Sequence, residues 1–292
     1  MNIGVILNRK KNGAEEALAA IQSAIGTRGR VLVCPDSGAA PGDAREPSVD
    51  FFEGLDVVIS LGGDGTMLHS VQLMGTEDIP IMGINLGTLG FMTTVLPDQI
   101  EEAMRRLLVG DYAISERTRL QLRVTEGDSV NTHYALNDVA IGWGGSPRII
   151  SLKVSIDHHY VTTYACDGLV VSTPTGSTGH SLSAGGPILQ PDTEVFVISP
   201  ICPHTLTSRP LVISNRSVIG VELDDCAKEL LLAVDGQECC SIGHGTLLEM
   251  EAFEKRVQFI HFHGYDYYAV LREKLRWQGS SRLSEVVEKP PR

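Results

Sequence analysis

Residues 57–68 read VVISLGGDGTML: a β-branched run, then Gly62-Gly63-Asp64-Gly65-Thr66 opening into Met67 and Leu68. Such a run closed by glycines specifies a buried strand ending in a tight turn, and residues 66–74 follow as a helix. Strand, glycine turn and helix start bring backbone N–H groups together at the carboxyl end of a sheet. There the helix dipole and the unpaired donors favour an anion. The turn lacks the Lys-Ser/Thr of a P-loop and the spacing of G-x-G-x-x-G, so neither common nucleotide fingerprint applies. Two readings stay open for the turn alone: a tight connection in which Asp64 caps the helix, or a phosphate cradle. Asp64 tilts the choice. A carboxylate beside phosphate is repelled unless a divalent cation intervenes or it accepts a proton from a hydroxyl attacking that phosphate. Both belong to phosphoryl transfer.

Outward from this turn, the first third of the chain alternates apolar runs with helical segments. Strands are expected at 2–7, 30–34, 56–61 and 80–85, and helices at 14–25, 66–74 and 97–108, with residues 39–47 as a loop. That alternation specifies an α/β domain with a mostly parallel, doubly wound sheet, assigned to residues 1–111. From about Tyr112 the rhythm changes to short alternating stretches at 120–125, 152–156, 195–198, 218–223 and 230–234, separated by turn residues. This is an all-β domain, assigned to 112–264. Residues 267–277 return to helical spacing and are expected to pack back on the first domain, with a frayed tail from 280, so that 265–292 form a C-terminal helix and tail.

The chain has 292 residues, 42% of them hydrophobic, enough for well-buried cores. Its net charge of −12 argues against broad binding to nucleic acid or to an anionic membrane surface. No apolar run reaches the ~20 residues of a membrane span, and MNIGVILN lacks a basic region before a cleavable apolar stretch, which points to the cytoplasm. Six cysteines carry neither a C-x-x-C pair nor zinc spacing. Adjacent Cys239 and Cys240 are expected to point to opposite faces of a strand, which argues against a redox pair. Asp157-His158-His159 reads as a hairpin turn rather than a metal site. His261 and His263 share a strand face, which makes metal binding geometrically possible, yet their apolar neighbours favour a buried or interface strand. Apolar strands in the all-β region point to a homodimer or homotetramer.

A second unusual stretch is DGLVVSTPTGSTGHSLSAGGPILQP at 167–191, in which an apolar strand opens into hydroxyls and glycines. Hydroxyls bond ribose and phosphate oxygens, and glycines permit close backbone approach. Together with GGDGT at 62–66 and Asn137-Asp138 within ALNDV at 135–139, this block resembles the NAD kinases. The resemblance runs from the first strand to about residue 262. The glycine turn is shared with diacylglycerol and sphingosine kinases and loosely with phosphofructokinases; the 167–191 block is far more particular.

The resemblance implies phosphorylation of the adenosine ribose 2′-hydroxyl of NAD by ATP with Mg²⁺ or another divalent cation. It implies that Gly62, Gly63, Gly65 and Thr66 receive the ATP phosphates and that Asp64 is the proton acceptor. NAD would meet Asp64, Gly65, His69, Phe91 against an adenine face, and Asn137 and Asp138 on ribose hydroxyls. Further NAD contacts fall on Arg148, Ala165, Asp167, Thr175, Thr178, Gly179, His180, Ser181, Leu182, Ser183 and Gln237. Gly179-His180 stands where many relatives carry Ala-Tyr, and Ala165 where some carry a basic residue, which bears on NAD against NADH. Two rivals accompany this reading. A lipid kinase would need an apolar or basic membrane-facing element that the acidic sequence does not offer, and a dinucleotide-binding regulator would have lost the chemistry.

Overall fold

The computed structural model describes residues 1–34, 51–88, 90–142, 149–223 and 230–277. Arg148, the 39–47 loop and the tail from 280 lie outside them. The opening apolar runs form β1 (Asn2–Leu7), α1 (Ala14–Ile25), β2 (Arg30–Val33), β3 (Val57–Gly62), α2 (Asp64–Met74), β4 (Ile81–Asn85) and α3 (Ile100–Leu108). Short strands follow: β5 (Ala113–Arg117), β6 (Leu120–Glu126), β7 (Ser129–Ala135), β8 (Asp138–Gly142), β9 (Ile150–Ile156), β10 (His159–Cys166) and β11 (Gly168–Ser172). After a 3-10 turn at Thr175–Thr178 come α4 (His180–Ser183), β12 (Val195–Ile201), β13 (Leu211–Ser214), β14 (Ile219–Leu223) and β15 (Leu230–Val234). The last elements are β16 (Gln237–Ile242), β17 (Leu247–Ala252), β18 (Val257–His261) and α5 (Tyr267–Lys274).

Three sheets result, with orders β2-β1-β3-β4-β18-β5, β10-β9-β14-β17-β6-β7 and β13-β12-β11-β8-β15-β16. The first is parallel apart from β5, which runs antiparallel to β18. Helices cover both its faces. Ile3 and Val5 pack with Ile21 of α1 and Met104 of α3, while Ile6 and Val58 pack with Met67 and Val71 of α2 on the other side. The other two sheets are antiparallel and share one core: Leu122, Val154 and Val221 of one meet Ile141, Val171 and Phe196 of the other. In β6 burial alternates residue by residue, as a strand with one face on a core must.

The structure departs from the sequence reading in four places. First, β5 and β18 fall within 112–264, the range read above as the all-β domain, yet they complete the first sheet. Pairing with β4 requires the chain to return from about 170 residues downstream, a long-range choice that local pattern does not encode. Second, α5 stops at Lys274 rather than 277. It reaches both parts of the molecule: Val270 walls a cavity opposite Ala103 and Arg106 of α3, while the Tyr267 and Tyr268 hydroxyls donate to Leu189 O and Gln190 Oε1, each at 3.0 Å.

Third, His261 and His263 do not share a strand face, because β18 ends at His261. His261 is buried and stacks on Tyr265 at 4.3 Å, and burial together with Arg117 lowers its imidazole to about 4. Fourth, Cys239 and Cys240 do not face opposite ways. Leu232 pairs with Cys240 and Ala233 with Glu238, so Cys239 is the extra residue of a β-bulge, and the two sulfurs lie 3.7 Å apart. Asp157-His158 forms the expected two-residue hairpin turn, with φ of 50° and 63°.

Candidate active site

Asp64 is the first residue of α2, and Gly63 occupies the cap position without a side-chain cap. The carboxylate turns away from its own helix. Its Oδ2 accepts the Phe91 N–H at 2.8 Å and its Oδ1 accepts the Met92 N–H at 3.1 Å, with the Thr93 hydroxyl 3.5 Å from Oδ1. Asp64 therefore does not serve as a helix cap, one of the two roles left open by the sequence.

The loop that grips Asp64 is organised by Asn85 at the end of β4. Asn85 Nδ2 donates to Thr88 O at 2.6 Å and to Thr93 Oγ1 at 2.9 Å, and its Oδ1 accepts the Gly87 N–H at 2.8 Å. A chain of bonds thus runs from Asn85 through Thr93 to Asp64. Gly90 permits the close approach: a Cβ there would stand 2.0 Å from Asp64 Oδ1.

Asn137 lies just before β8 and Asp138 opens that strand, both held by Asp235 in the β15–β16 turn. Asp235 accepts the N–H groups of Leu136, Asn137 and Asp138 at 2.9, 2.6 and 3.2 Å. Opposite them, a Cβ on Gly176 would come within 2.1 Å of Asn137 O, so only glycine lets the Thr175–Thr178 turn seat there. A Cβ on Gly179 would stand 4.0 Å from Asn137 Nδ2 and 3.9 Å from Asp138 Oδ2. Burial, reinforced by the nearby Asp235 carboxylate, raises the Asp138 carboxyl to about 7. Three backbone N–H bonds oppose the same desolvation at Asp235.

Three of the expected residues carry buried polar atoms with no partner among the described residues: His69 Nε2, Asn137 Oδ1 and Thr175 Oγ1. Each such atom costs about 1–3 kcal/mol if it stays unpaired, so a polar ligand that completes them gains correspondingly. A small niche joins Phe91 to Thr175 and Thr178, with Arg117 and Tyr267 in its wall. Arg117 is buried against the Phe259 ring, 5.5 Å from its centroid, and among the described residues no carboxylate lies within ion-pair distance of it. Burial lowers its guanidinium from the ordinary value, and such a cation suits a phosphate-bearing ligand.

Other expected residues are placed differently. Ser181 is buried and spends its hydroxyl on Ser199 at 3.1 Å, whereas His180 and Ser183 are exposed. Leu182 is half-buried on α4. Ala165 lies on β10, an edge strand, and Asp167 sits 3.7 Å from His204 Nε2. No contact among the described residues ties that pair to Asp64. Gln237 opens onto a different cavity, beside Val71 and Gln72 of α2. A cavity of about 560 Å³ between α3 and α5 contains none of the expected residues. Sequence reasoning missed Asn85, Thr93, Arg117 and Asp235. Of these only Asp235 carried a signal, its place in an Asp-Gly turn directly before Gln237.

Comparison with known proteins matches this geometry to a family. Residues 3–112 match the ATP-NAD kinase N-terminal domain and residues 136–262 the ATP-NAD kinase C-terminal domain. An NAD kinase of Syntrophobacter fumaroxidans is 37% identical over 94% of this chain and 98% of its own length. One from Geotalea daltonii is 42% identical over 78% of this chain and 81% of its own. Among solved structures, yeast NADH kinase complexed with NADH superposes with a TM-score of 0.87 at 26% identity, covering 97% of this chain and 90% of that one. An NAD kinase from Archaeoglobus fulgidus in complex with ATP gives 0.75 at 26% identity, covering 96% and 100%. With both domains matched in order across most of its length, the chain belongs to the ATP-NAD kinase family.

Proposed function

We propose that this chain transfers the γ-phosphoryl group of ATP to the adenosine ribose 2′-hydroxyl of NAD, giving NADP and ADP, with Asp64 as the residue that receives and orients the hydroxyl. The observation that carries this reading is the clamp on Asp64: its carboxylate is fixed by Phe91 and Met92 N–H instead of capping its own helix. A two-oxygen carboxylate offers about four acceptor positions, so the clamp leaves capacity for a substrate hydroxyl.

Gly62, Gly63, Gly65 and Thr66 form the turn that would receive the ATP phosphates, using the N-terminal donors of α2. Asn137 Oδ1 and Thr175 Oγ1 are free to bond ribose hydroxyls or adenine, and His69 Nε2 is free for a polar group of the dinucleotide. Phe91 and Thr178 share the wall of one narrow niche, and the Gly179 to Ser183 segment follows Thr178 directly in the chain; both are assigned to NAD by family likeness. Ala165, Asp167 and Gln237 are assigned outlying NAD contacts by family likeness alone. Arg148 belongs to that assignment too and lies outside the described residues.

A divalent cation, Mg²⁺ by preference, would neutralise charge on the transferring phosphoryl group. Asp64 is the carboxylate at the turn. Mg²⁺ in such sites draws most of its ligands from phosphate oxygens and water, so one carboxylate fits this donor set. The acidic chain suits a small-molecule substrate rather than nucleic acid, and among the described residues no helix is long and apolar enough to cross a membrane. The same reading places the protein in the cytoplasm as a homodimer or homotetramer, with a nucleotide-binding part on the first sheet, β5 and β18 included, an NAD-binding part on the other two sheets and a returning C-terminal helix.

The test is to supply purified protein with ATP, Mg²⁺ and NAD and to follow NADP with an NADP-specific dehydrogenase. NADP should form, and Asp64→Asn should slow it by about 10²–10⁴-fold. No NADP above background, or equal rates from Asp64→Asn, would overturn the assignment. NAD binding without turnover would identify a regulator instead, and turnover only with lipid a lipid kinase.

A further inference from the structure

The bulge in β16 creates a chemical grouping apart from the residues assigned above to phosphoryl transfer. Because Cys239 is the unpaired residue of the ladder, it and Cys240 present both sulfurs to one side, 3.7 Å apart. The imidazole of His133 on β7 faces the same point. One ligand atom from each residue lies within 4.8 Å of the other two.

The spacing can be compared with what a cation would require. Two sulfurs about 2.3 Å from a tetrahedral zinc ion are separated by roughly 3.8 Å, and a sulfur and a histidine nitrogen by roughly 3.6 Å. The observed sulfur pair already stands at 3.7 Å, while a disulfide would need about 2.05 Å. All three side chains are half-buried, so ions can enter and water is partly excluded. Two thiols and an imidazole form a soft donor set, which selects thiophilic cations over Mg²⁺ or Ca²⁺.

We propose that His133, Cys239 and Cys240 form a three-ligand site for a thiophilic divalent cation of the zinc class, with the fourth coordination position open to water or an external ligand. The site joins two sheets at their edges. β7 is the terminal strand of the second sheet and β16 of the third, so the cation would clip the two layers of the sandwich together. It also borders the cavity of about 340 Å³ that contains Gln237 and the α2 residues Val71 and Gln72. Binding is an acid–base and ligand-exchange event with no redox change: two metal–sulfur bonds and one metal–nitrogen bond form, the hydrated cation sheds the waters they replace, and the two S–H protons pass to solvent.

The test uses the reduced full chain, freed of metal with a chelator that is then removed, and titrated with Co²⁺ alone. A thiolate-to-cobalt charge-transfer absorption should grow and saturate at one equivalent, and Zn²⁺ should abolish it. Cys239→Ser, Cys240→Ser and His133→Ala should each weaken Co²⁺ binding at least tenfold with an unchanged circular dichroism spectrum. Cys202→Ser, which alters an exposed thiol elsewhere, should leave the titration as it was. Zn²⁺ should raise the Tm of the parent chain and not that of Cys240→Ser. Absence of the band in the parent chain at one equivalent overturns the site, and this result needs no variant to fold. Persistence of the full band in Cys240→Ser overturns it as well, and persistence in His133→Ala overturns the three-ligand assignment.

Discussion

Gly90→Ala should disable the Asp64 clamp without replacing any residue assigned to substrate. The new Cβ would lie 2.0 Å from Asp64 Oδ1, 2.6 Å from its Cγ and 2.6 Å from Thr93 Oγ1. Carbon and its neighbours settle at about 3.5–4 Å, so the carboxylate oxygen must retreat by more than roughly 1 Å. The bonds from Phe91 and Met92 N–H begin at 2.8 and 3.1 Å, and a retreat of that size takes at least one beyond hydrogen-bond reach. Bonds to a charged acceptor contribute about 1.5–3 kcal/mol each, but this half-buried carboxylate recovers part of that from water. Stability should therefore fall by only about 1–2 kcal/mol. Catalysis is more sensitive, because a misplacement of about 1 Å costs on the order of 10²-fold. In the coupled NADP assay kcat should drop about 100-fold while KM for NAD changes by less than about threefold. Gly87→Ala is the control. A Cβ there meets Asn85 Oδ1 at 3.7 Å, an ordinary contact, and activity should stay near that of the parent chain. A Gly90→Ala enzyme with kcat within threefold of the parent would refute the view that the loop holds Asp64 in its working position.

Thr175→Val keeps the side chain's shape while removing a buried hydroxyl that lacks a partner. The ligand-free protein should gain up to about 1 kcal/mol in denaturant unfolding, while KM for NAD rises about 5–10-fold. Asp235→Asn replaces one acceptor oxygen with an amide donor, leaving one of the Leu136, Asn137 and Asp138 N–H groups unpaired. A buried unpaired donor costs about 1–3 kcal/mol, which should appear as lower stability and a raised KM for NAD, measurable by unfolding and initial rates. Asp138 titrates near 7 in the folded protein against 3.8 for the free side chain, so the folded state holds a proton that the unfolded state releases. Its contribution to stability is therefore lost as pH rises from about 4 to about 7 and is flat above that. Comparing unfolding of the parent and Asp138→Asn at pH 5 and pH 8 should show that slope only in the parent; identical slopes would refute the assignment.

Local pattern carried much of the fold. Residues 14–25 become a helix with the bounds their apolar periodicity predicts, and 230–234, apolar at every position, become a strand with the expected bounds. Pairing was less legible. VQFIH at 257–261 reads as a strand, but nothing in it says that its neighbours are Ile81 and Ala113–Arg117. The bulge at Cys239 defeated the alternation rule because one extra residue shifts which face the next side chain takes. At the site, Asp64 could be singled out because a carboxylate conflicts with a phosphate cradle. Asn85 and Asp235 give no such conflict. Asn85 ends a strand and Asp235 opens an Asp-Gly turn, both ordinary local roles, and their work on Asp64 and Asn137 arises only when distant segments meet.

The polar interior of this site implies that its stability and its ligand are linked. Among the described residues, His69, Asn137 and Thr175 each bury an unpaired polar atom, Arg117 is buried with no carboxylate in ion-pair distance, and Asp138 is desolvated beside a second acid. A fold held only for its own stability would lose nothing by replacing these groups with apolar ones. Under the proposed function a dinucleotide would supply what they lack: hydroxyl donors for Asn137 and Asp138, acceptors for Thr175, and phosphate charge for Arg117. The ligand-free protein should thus unfold more readily than its size implies. Saturation with NAD at 100 times its Kd adds about 2.7 kcal/mol by mass action, and that increment should shrink in Thr175→Val because affinity falls at fixed NAD. The opposite signs expected for that substitution, a gain in the free protein and a loss in the complex, distinguish a binding site from a core that is merely badly packed.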